Sequence, residues 1–111
     1  MKLDKETQEK IGELQIAEQN LQSFLMQKQN FQTQLVEVDS ALSDLEKSKD
    51  SFKIIGNIMV KAEKKELKKE LEEKKTILEL RIKNIEKQED KIREKASKLQ
   101  EEVMKEMKEK K

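Results

Sequence analysis

Phe52 to Val60 reads FKIIGNIMV, and it is the one concentrated apolar run in the chain. The chain as a whole is 44% charged and only 33% hydrophobic. Gly56-Asn57 divides the run into two short β-prone pieces, Phe52 to Ile55 and Ile58 to Lys61. A glycine at the first central position suits a two-residue type II′ turn, so the stretch predicts a β-hairpin over 52–61. The turn dictates the register: Ile55 faces Ile58, Ile54 faces Met59 and Lys53 faces Val60. One side of the hairpin then carries Lys53, Ile55, Ile58 and Val60, and the other carries Phe52, Ile54 and Met59. Both sides are largely apolar. An isolated hairpin of this size is at best marginal, and one with two apolar faces and open edges invites association. The sequence therefore predicts that hairpins from several chains pair into an intermolecular sheet or barrel, with one face resting on the base of the flanking helices. The plainer alternative is the tight end of a monomeric helical hairpin, which leaves large apolar side chains with little to cover them.

Outward from the hairpin the periodicity becomes helical. With Leu14 as heptad position a, the a positions are Leu14, Leu21, Lys28, Leu35 and Leu42. The d positions are Ala17, Phe24, Phe31, Val38 and Leu45. All but Lys28 are apolar, which is a strong coiled-coil pattern. Lys28 admits two readings: a charged a position that fixes register or partner, or a stem that packs while its ammonium reaches water. Asp4 is positioned to cap a first helix over 5–47, and Gly12 weakens that helix by up to ~1 kcal/mol.

After the hairpin, Leu71, Leu78, Ile85, Ile92 and Leu99 recur every seven residues. A patchier second row holds Lys75, Ile82, Glu89, Ala96 and Val103, with Leu67 and Ile77 expected to widen the stripe. This predicts a second helix over 63–108. Glu70 and Lys74, Glu79 and Lys83, Glu89 and Arg93, and Glu101 and Lys105 are spaced for i,i+4 pairs on its outer face. The start of this helix shows no good cap. Helices of similar length joined by a short connector predict a mainly α fold, a long antiparallel coiled-coil hairpin with a short central β-hairpin, in a single domain over 1–111.

Composition excludes several functions. There is no Cys and no His, which removes thiol nucleophiles, imidazole bases and the usual zinc ligands. The carboxylates are distributed over helix faces, and no glycine-rich phosphate loop or metal-ligand spacing is present. No enzyme, no metal and no cofactor are expected. The net charge is +1, and the lysines around Lys64, Lys65, Lys68 and Lys69 are interleaved with Glu63, Glu66 and Glu70. No nucleic-acid-binding face follows from that mixture. Neither a secretory h-region nor a membrane-length apolar run is visible, so no membrane association and a cytoplasmic location are expected.

The order of coiled coil, FKIIGNIMV hairpin and coiled coil resembles the prefoldin β-subunit family in its archaeal form. Two flanking stretches carry the resemblance further: LMQKQNFQTQLVEVDSALSDLEK, Leu25 to Lys47, and ELKKELEEKKTILELRIKNIEKQEDKIREK, Glu66 to Lys95. It extends over about residues 10–105, and Phe52 stands where Tyr is common. The resemblance implies an ATP-independent chaperone subunit that captures non-native polypeptides and delivers them to a group II chaperonin. It also implies a hexamer of two α-type and four β-type subunits, with the prefoldin α subunit and further copies of this chain as partners. In that hexamer the hairpins form a β-barrel platform, and Phe52, Ile54, Ile55, Gly56, Asn57, Ile58, Met59 and Val60 are the oligomerisation residues.

Holding a non-native chain needs modest apolar surface on a flexible, soluble support, and fraying helix ends supply it. The residues expected there are Leu3, Ile11, Leu14 and Ile16 on the first helix, and Leu99, Val103, Met104 and Met107 on the second. For each of them ordinary interhelix packing is the alternative. The competing functional class is a structural coiled-coil adapter with one folded partner, which has no need of a two-faced apolar hairpin.

Overall fold

The computed structural model describes residues 4–109, in the order α1 (Lys5–Lys47), β1 (Ser51–Ile55), β2 (Ile58–Ala62) and α2 (Lys64–Glu109). Helix α1 starts where Asp4 caps it, the Thr7 amide donating to Asp4 Oδ1 at 2.8 Å. Its last carbonyls find three kinds of donor. The Ser48 amide donates to Leu45 O at 3.3 Å. The Ser48 hydroxyl donates to Asp44 O at 2.8 Å. Lys64 reaches back from the first turn of α2, its Nζ donating to Glu46 O at 3.0 Å and Ser48 O at 3.1 Å. At the start of α2 the Leu67 amide donates to Glu63 O at 3.0 Å, and Glu66 places a negative charge against the exposed amides of the first turn.

The chain divides into two compact units. The first takes α1 as far as Lys28 and α2 from Asn84 onward; the second is Gln29–Lys83. In the first unit the helices lie antiparallel, as Lys10 meeting Glu106 and Lys28 meeting Glu89 require. Its buried apolar residues are Ala17, Ile85, Leu99 and Val103. In the second unit the same antiparallel pairing brings Lys75 to Asp39 at 2.8 Å and Lys68 to Glu46 at 3.8 Å. Val38, Leu45, Leu78 and Ile82 form its core. Arg81 lies over the Phe31 ring, 5.6 Å from its centroid, and shields a half-buried aromatic at the seam. Each unit thus holds an antiparallel pair of helix segments, and the β-hairpin belongs to the second unit.

Every residue in the heptad rows of both helices is buried or half-buried, so the 3.5-residue period decides what packs. Two expectations for α2 need correction. Ile77 does not widen the buried stripe; it is 50% exposed. It precedes Leu78 by one residue, and the ~100° turn per residue carries it off the seam. Glu89 does not sit on the outer face with Arg93. It is 1% exposed, inside the seam, while the expected i,i+4 ion pair with Arg93 does form, at 3.7 Å to Glu89 Oε2.

Lys28 is the charged residue of its row, Glu89 shares another row with Lys75, and Lys28 and Glu89 meet. Lys28 Nζ donates to Glu89 Oε1 at 2.7 Å, while Glu89 Oε2 accepts no hydrogen bond. A buried carboxylate facing the one lysine in the opposite row disfavours shifted alignments, because a shift would leave both charges among apolar side chains.

Candidate functional site

Strands β1 and β2 pair antiparallel from Ser51 with Ala62 to Ile55 with Ile58. Gly56 has φ of 61°, and no non-glycine residue has a positive φ among the described residues. A positive φ at the first central residue alone marks a type II′ turn, whose twist matches that of the strands. Ser51 is buried, and its hydroxyl donates to Ala62 O at 2.7 Å, closing the open end of the hairpin.

The two faces of the hairpin differ. Lys53, Ile55 and Val60 overlook the first turns of α2 across an open groove of about 310 Å³ that Glu66, Leu67 and Glu70 also line. Lys53 Nζ spans this groove and donates to both carboxylate oxygens of Glu70, at 3.0 and 2.9 Å. Glu70 is therefore engaged across the groove, by the hairpin. The groove is not filled: Ile55 is 58% exposed and Ile58 67%. On the opposite face Ile54 and Met59 are 68% and 66% exposed, with Phe52 beside them also exposed. Among the described residues each strand pairs with the other alone, so both keep an edge without a strand partner. Chemically the region is a small, pre-shaped, double-faced apolar sheet fragment able to add strands and bury side chains.

The second region lies in the unit that holds the chain ends. Ile16, Met104 and Met107 are exposed, Ile11 and Leu14 are half-buried, and Leu99 and Val103 are buried in the seam. Leu3 lies outside the described residues. Shallow hollows flank the seam. One of about 250 Å³ is lined by Ile16, Ala17 and Ile92, and one of about 350 Å³ by Ile11, Leu14, Leu21 and Ala96.

Beyond these apolar layers the seam turns polar. Thr7 is 1% exposed, and its hydroxyl donates to Glu106 Oε2. Lys10 Nζ donates to Glu106 Oε1 at 2.8 Å and lies 3.3 Å from Glu102 Oε2 and 3.8 Å from Glu6 Oε1. The hydrogen bond to Glu106, supported by Glu102, raises the Lys10 pKa above the usual lysine range. The bonds from Lys10 and then Thr7 hold the Glu106 carboxyl below the usual carboxylate range. Asp39 likewise raises Lys75 in the other unit. Sequence reading missed the Thr7, Lys10 and Glu106 group because the heptad register was begun at Leu14. Extended one repeat earlier, it places Thr7 at a and Lys10 at d, and the row through Leu99 reaches Glu106 seven residues later.

Among the described residues no group of three or more acidic, Cys or His side chains is placed to hold a metal ion. No described helix is long and apolar enough to cross a membrane.

The family model described as Prefoldin subunit matches residues 8–110. The prefoldin subunit beta of Pyrobaculum arsenaticum is 39% identical over 103 residues, spanning 90% of this chain and 83% of that protein. That of Archaeoglobus fulgidus is 36% identical over 104 residues, spanning 91% and 90%. The crystal structure of the prefoldin beta subunit from Thermococcus strain KS-1 superposes with a TM-score of 0.88 at 32% identity, covering 94% of each chain.

Proposed function

This chain belongs to the prefoldin family, as a β-type subunit, and from that premise we propose how its two regions divide the work. Its function is that of a chaperone subunit, capturing non-native polypeptides and delivering them to a chaperonin without ATP. The work is holding and transfer, with no chemical step. The hairpin is the assembly element, and the unit with the chain ends is the capture element.

The observation that carries this reading is the exposure of a contiguous apolar hairpin, with Ile54, Ile55, Ile58 and Met59 each more than half exposed. Burial of a large apolar side chain contributes about 1.5–3 kcal/mol. A sheet fragment with two such faces is accounted for by neighbours that cover them. In the family those neighbours are the hairpins of other subunits in an α2β4 hexamer. In our reading Phe52, Ile54, Ile55, Ile58, Met59 and Val60 supply the apolar contacts, and Gly56-Asn57 supplies the turn. The whole chain acts as one prefoldin-like domain in the cytoplasm, with a prefoldin α subunit, further copies of itself and a group II chaperonin of the same cell as its partners.

For capture, Ile16, Met104 and Met107 are the standing apolar contacts. Methionine is unbranched and adapts to irregular partners. Ile11, Leu14, Leu99 and Val103 add surface when the helix pair opens, and Leu3, outside the described residues, is proposed to contribute with them. Several weakly binding subunits in one assembly act together through multivalency.

The test is a holding assay on the assembled complex. The hexamer, purified through a tag on this chain, should suppress aggregation of a chemically unfolded protein without nucleotide. Ile16→Ser, Met104→Ser and Met107→Ser, combined and incorporated into an assembly of unchanged mass, should weaken suppression severalfold. Unchanged suppression by that variant would remove these residues from the capture surface. An intact complex that binds only one folded protein would overturn the capture role.

A further inference from the structure

The last layer of the helix pair in the terminal unit does not follow the rest of the seam. Thr7 and Lys10 occupy the a and d slots that Leu14 and Ala17 fill one repeat later, and Glu106 continues the row of Leu99. Where that repeat calls for apolar packing, the chain places a hydroxyl, an ammonium and a carboxylate joined through Glu106. The layer is well enclosed, since Thr7 is buried and the Lys10 and Glu106 side chains are 19% and 24% exposed. It directly adjoins Ile11 and Val103.

Polar and apolar layers close a seam differently. An apolar layer is held by burial, which salt does not screen. A partly exposed ion pair gains little net free energy and weakens as ionic strength rises. It does enforce one geometry, since a displaced helix would leave a carboxylate or an ammonium unpaired in the seam. A layer of this kind holds the correct alignment while remaining easy to part.

We propose that Thr7, Lys10 and Glu106 form a clasp that sets how often Ile11, Leu14, Leu99 and Val103 open to a non-native polypeptide. The proposal rests on the reading of this unit as the capture element. The clasp residues are positioning residues: they govern access to the apolar layers behind them. With the clasp joined, those layers are satisfied by each other. With it parted, they offer a short apolar strip that a non-native chain can cover. The client binds the open form, so its apparent affinity scales with the open fraction.

Two variants push this equilibrium in opposite directions. Lys10→Glu sets a carboxylate among those of Glu6, Glu102 and Glu106 and raises the open fraction. Thr7→Val with Lys10→Leu and Glu106→Leu makes the layer apolar without leaving the buried Thr7 hydroxyl unpaired, and lowers it. Each is incorporated into the hexamer with its mass verified, and binding of reduced, carboxymethylated α-lactalbumin, a permanently unfolded probe, is measured by fluorescence anisotropy. Amide exchange at residues 11–14 and 99–103 is measured without the probe. Lys10→Glu should tighten probe binding by about fivefold and speed exchange; the apolar triple variant should weaken binding by about fivefold and slow exchange. Adding Glu106→Lys to Lys10→Glu should return both readouts toward the parent protein.

If exchange moves in opposite directions while binding stays constant, or if both variants change binding in the same direction, the clasp does not control capture. A parent hexamer that fails to bind the probe would overturn the capture reading and the clasp with it. A parent that binds, with variants that match it in both readouts, would overturn the clasp alone.

Discussion

The hairpin and the helical seam invert the usual rule of burial in opposite senses. In the hairpin, large apolar residues such as Ile54 and Ile58 lie two-thirds exposed. In the seam, Thr7 and Glu89 are 1% exposed. The hairpin's exposed residues are contiguous and sit on a formed register between open strand edges; in the proposed assembly other chains cover them. The seam's buried polar groups are single, matched to a partner on the other helix and placed in heptad slots. They describe alignment within the chain. Exposure therefore reports on assembly only where it is contiguous, and polar burial reports on alignment only where a specific partner answers it.

The largest expected effect probes the polar side of this contrast. Lys28→Met leaves the Glu89 carboxylate buried with only Arg93 near, and should destabilise the helix pair by about 3–5 kcal/mol. Lys28→Met with Glu89→Leu should recover that loss or exceed it, since a well-packed apolar pair avoids desolvating two charges. Urea denaturation of the parent, these two variants and Glu89→Leu alone closes the double-mutant cycle. Equal stability of Lys28→Met and the parent would mean that the pair contributes nothing to alignment.

A glycine-to-alanine change made in each region should have opposite signs. At Gly56, nothing lies within 4 Å of an added Cβ, so the cost comes from the φ of 61° alone. Gly56→Ala should weaken the hairpin by about 1–2 kcal/mol and lower the dissociation midpoint of the assembly. At Gly12 a Cβ also meets nothing, and the backbone is helical. Gly12→Ala should stabilise α1 by up to ~1 kcal/mol, read from thermal unfolding.

The smallest effect near neutrality is that of pH. Glu106 titrates below its usual range, so its contribution is present above the unfolded carboxylate pKa and is lost as pH falls through the folded value. Lys10 titrates above its usual range, so its contribution is lost only as pH rises through that higher value. The charged groups facing this pair are Glu6, Glu102 and Asp4. Amide exchange at residues 7–14, corrected for its intrinsic rate, should be flat between about pH 6 and 9 and should accelerate in acid. A marked change near pH 7 would contradict this assignment.

Much of this was legible in the sequence because local patterns determine it. Gly56-Asn57 specified both turn and register, and the period through Leu14, Leu71 and their repeats specified which side chains pack. What remained hidden depends on pairing between distant segments. Lys28 had two open readings until the opposite row supplied Glu89. Lys64 caps the end of α1 from 16 to 18 residues away, and no local signal marks that contact. The start of α2 showed no capping side chain in the sequence, and the bond from the Leu67 amide to Glu63 O is the first rung of the helix, not a side-chain cap. Ile77 was misplaced by treating a neighbour of Leu78 as part of the same face. The polar clasp was missed although its heptad slots were available, because only apolar residues had been used to define the register.

The central claim is that other chains cover the hairpin. Its most direct test is the native mass of the complex assembled with the α-type subunit, with and without Ile55→Asp and Ile58→Asp together. The parent should give four copies of this chain with two α-type subunits. The double variant should leave helical chains that fail to assemble. A double variant that keeps the full hexamer mass, or a parent that remains a single chain beside its α-type partner, would contradict the account.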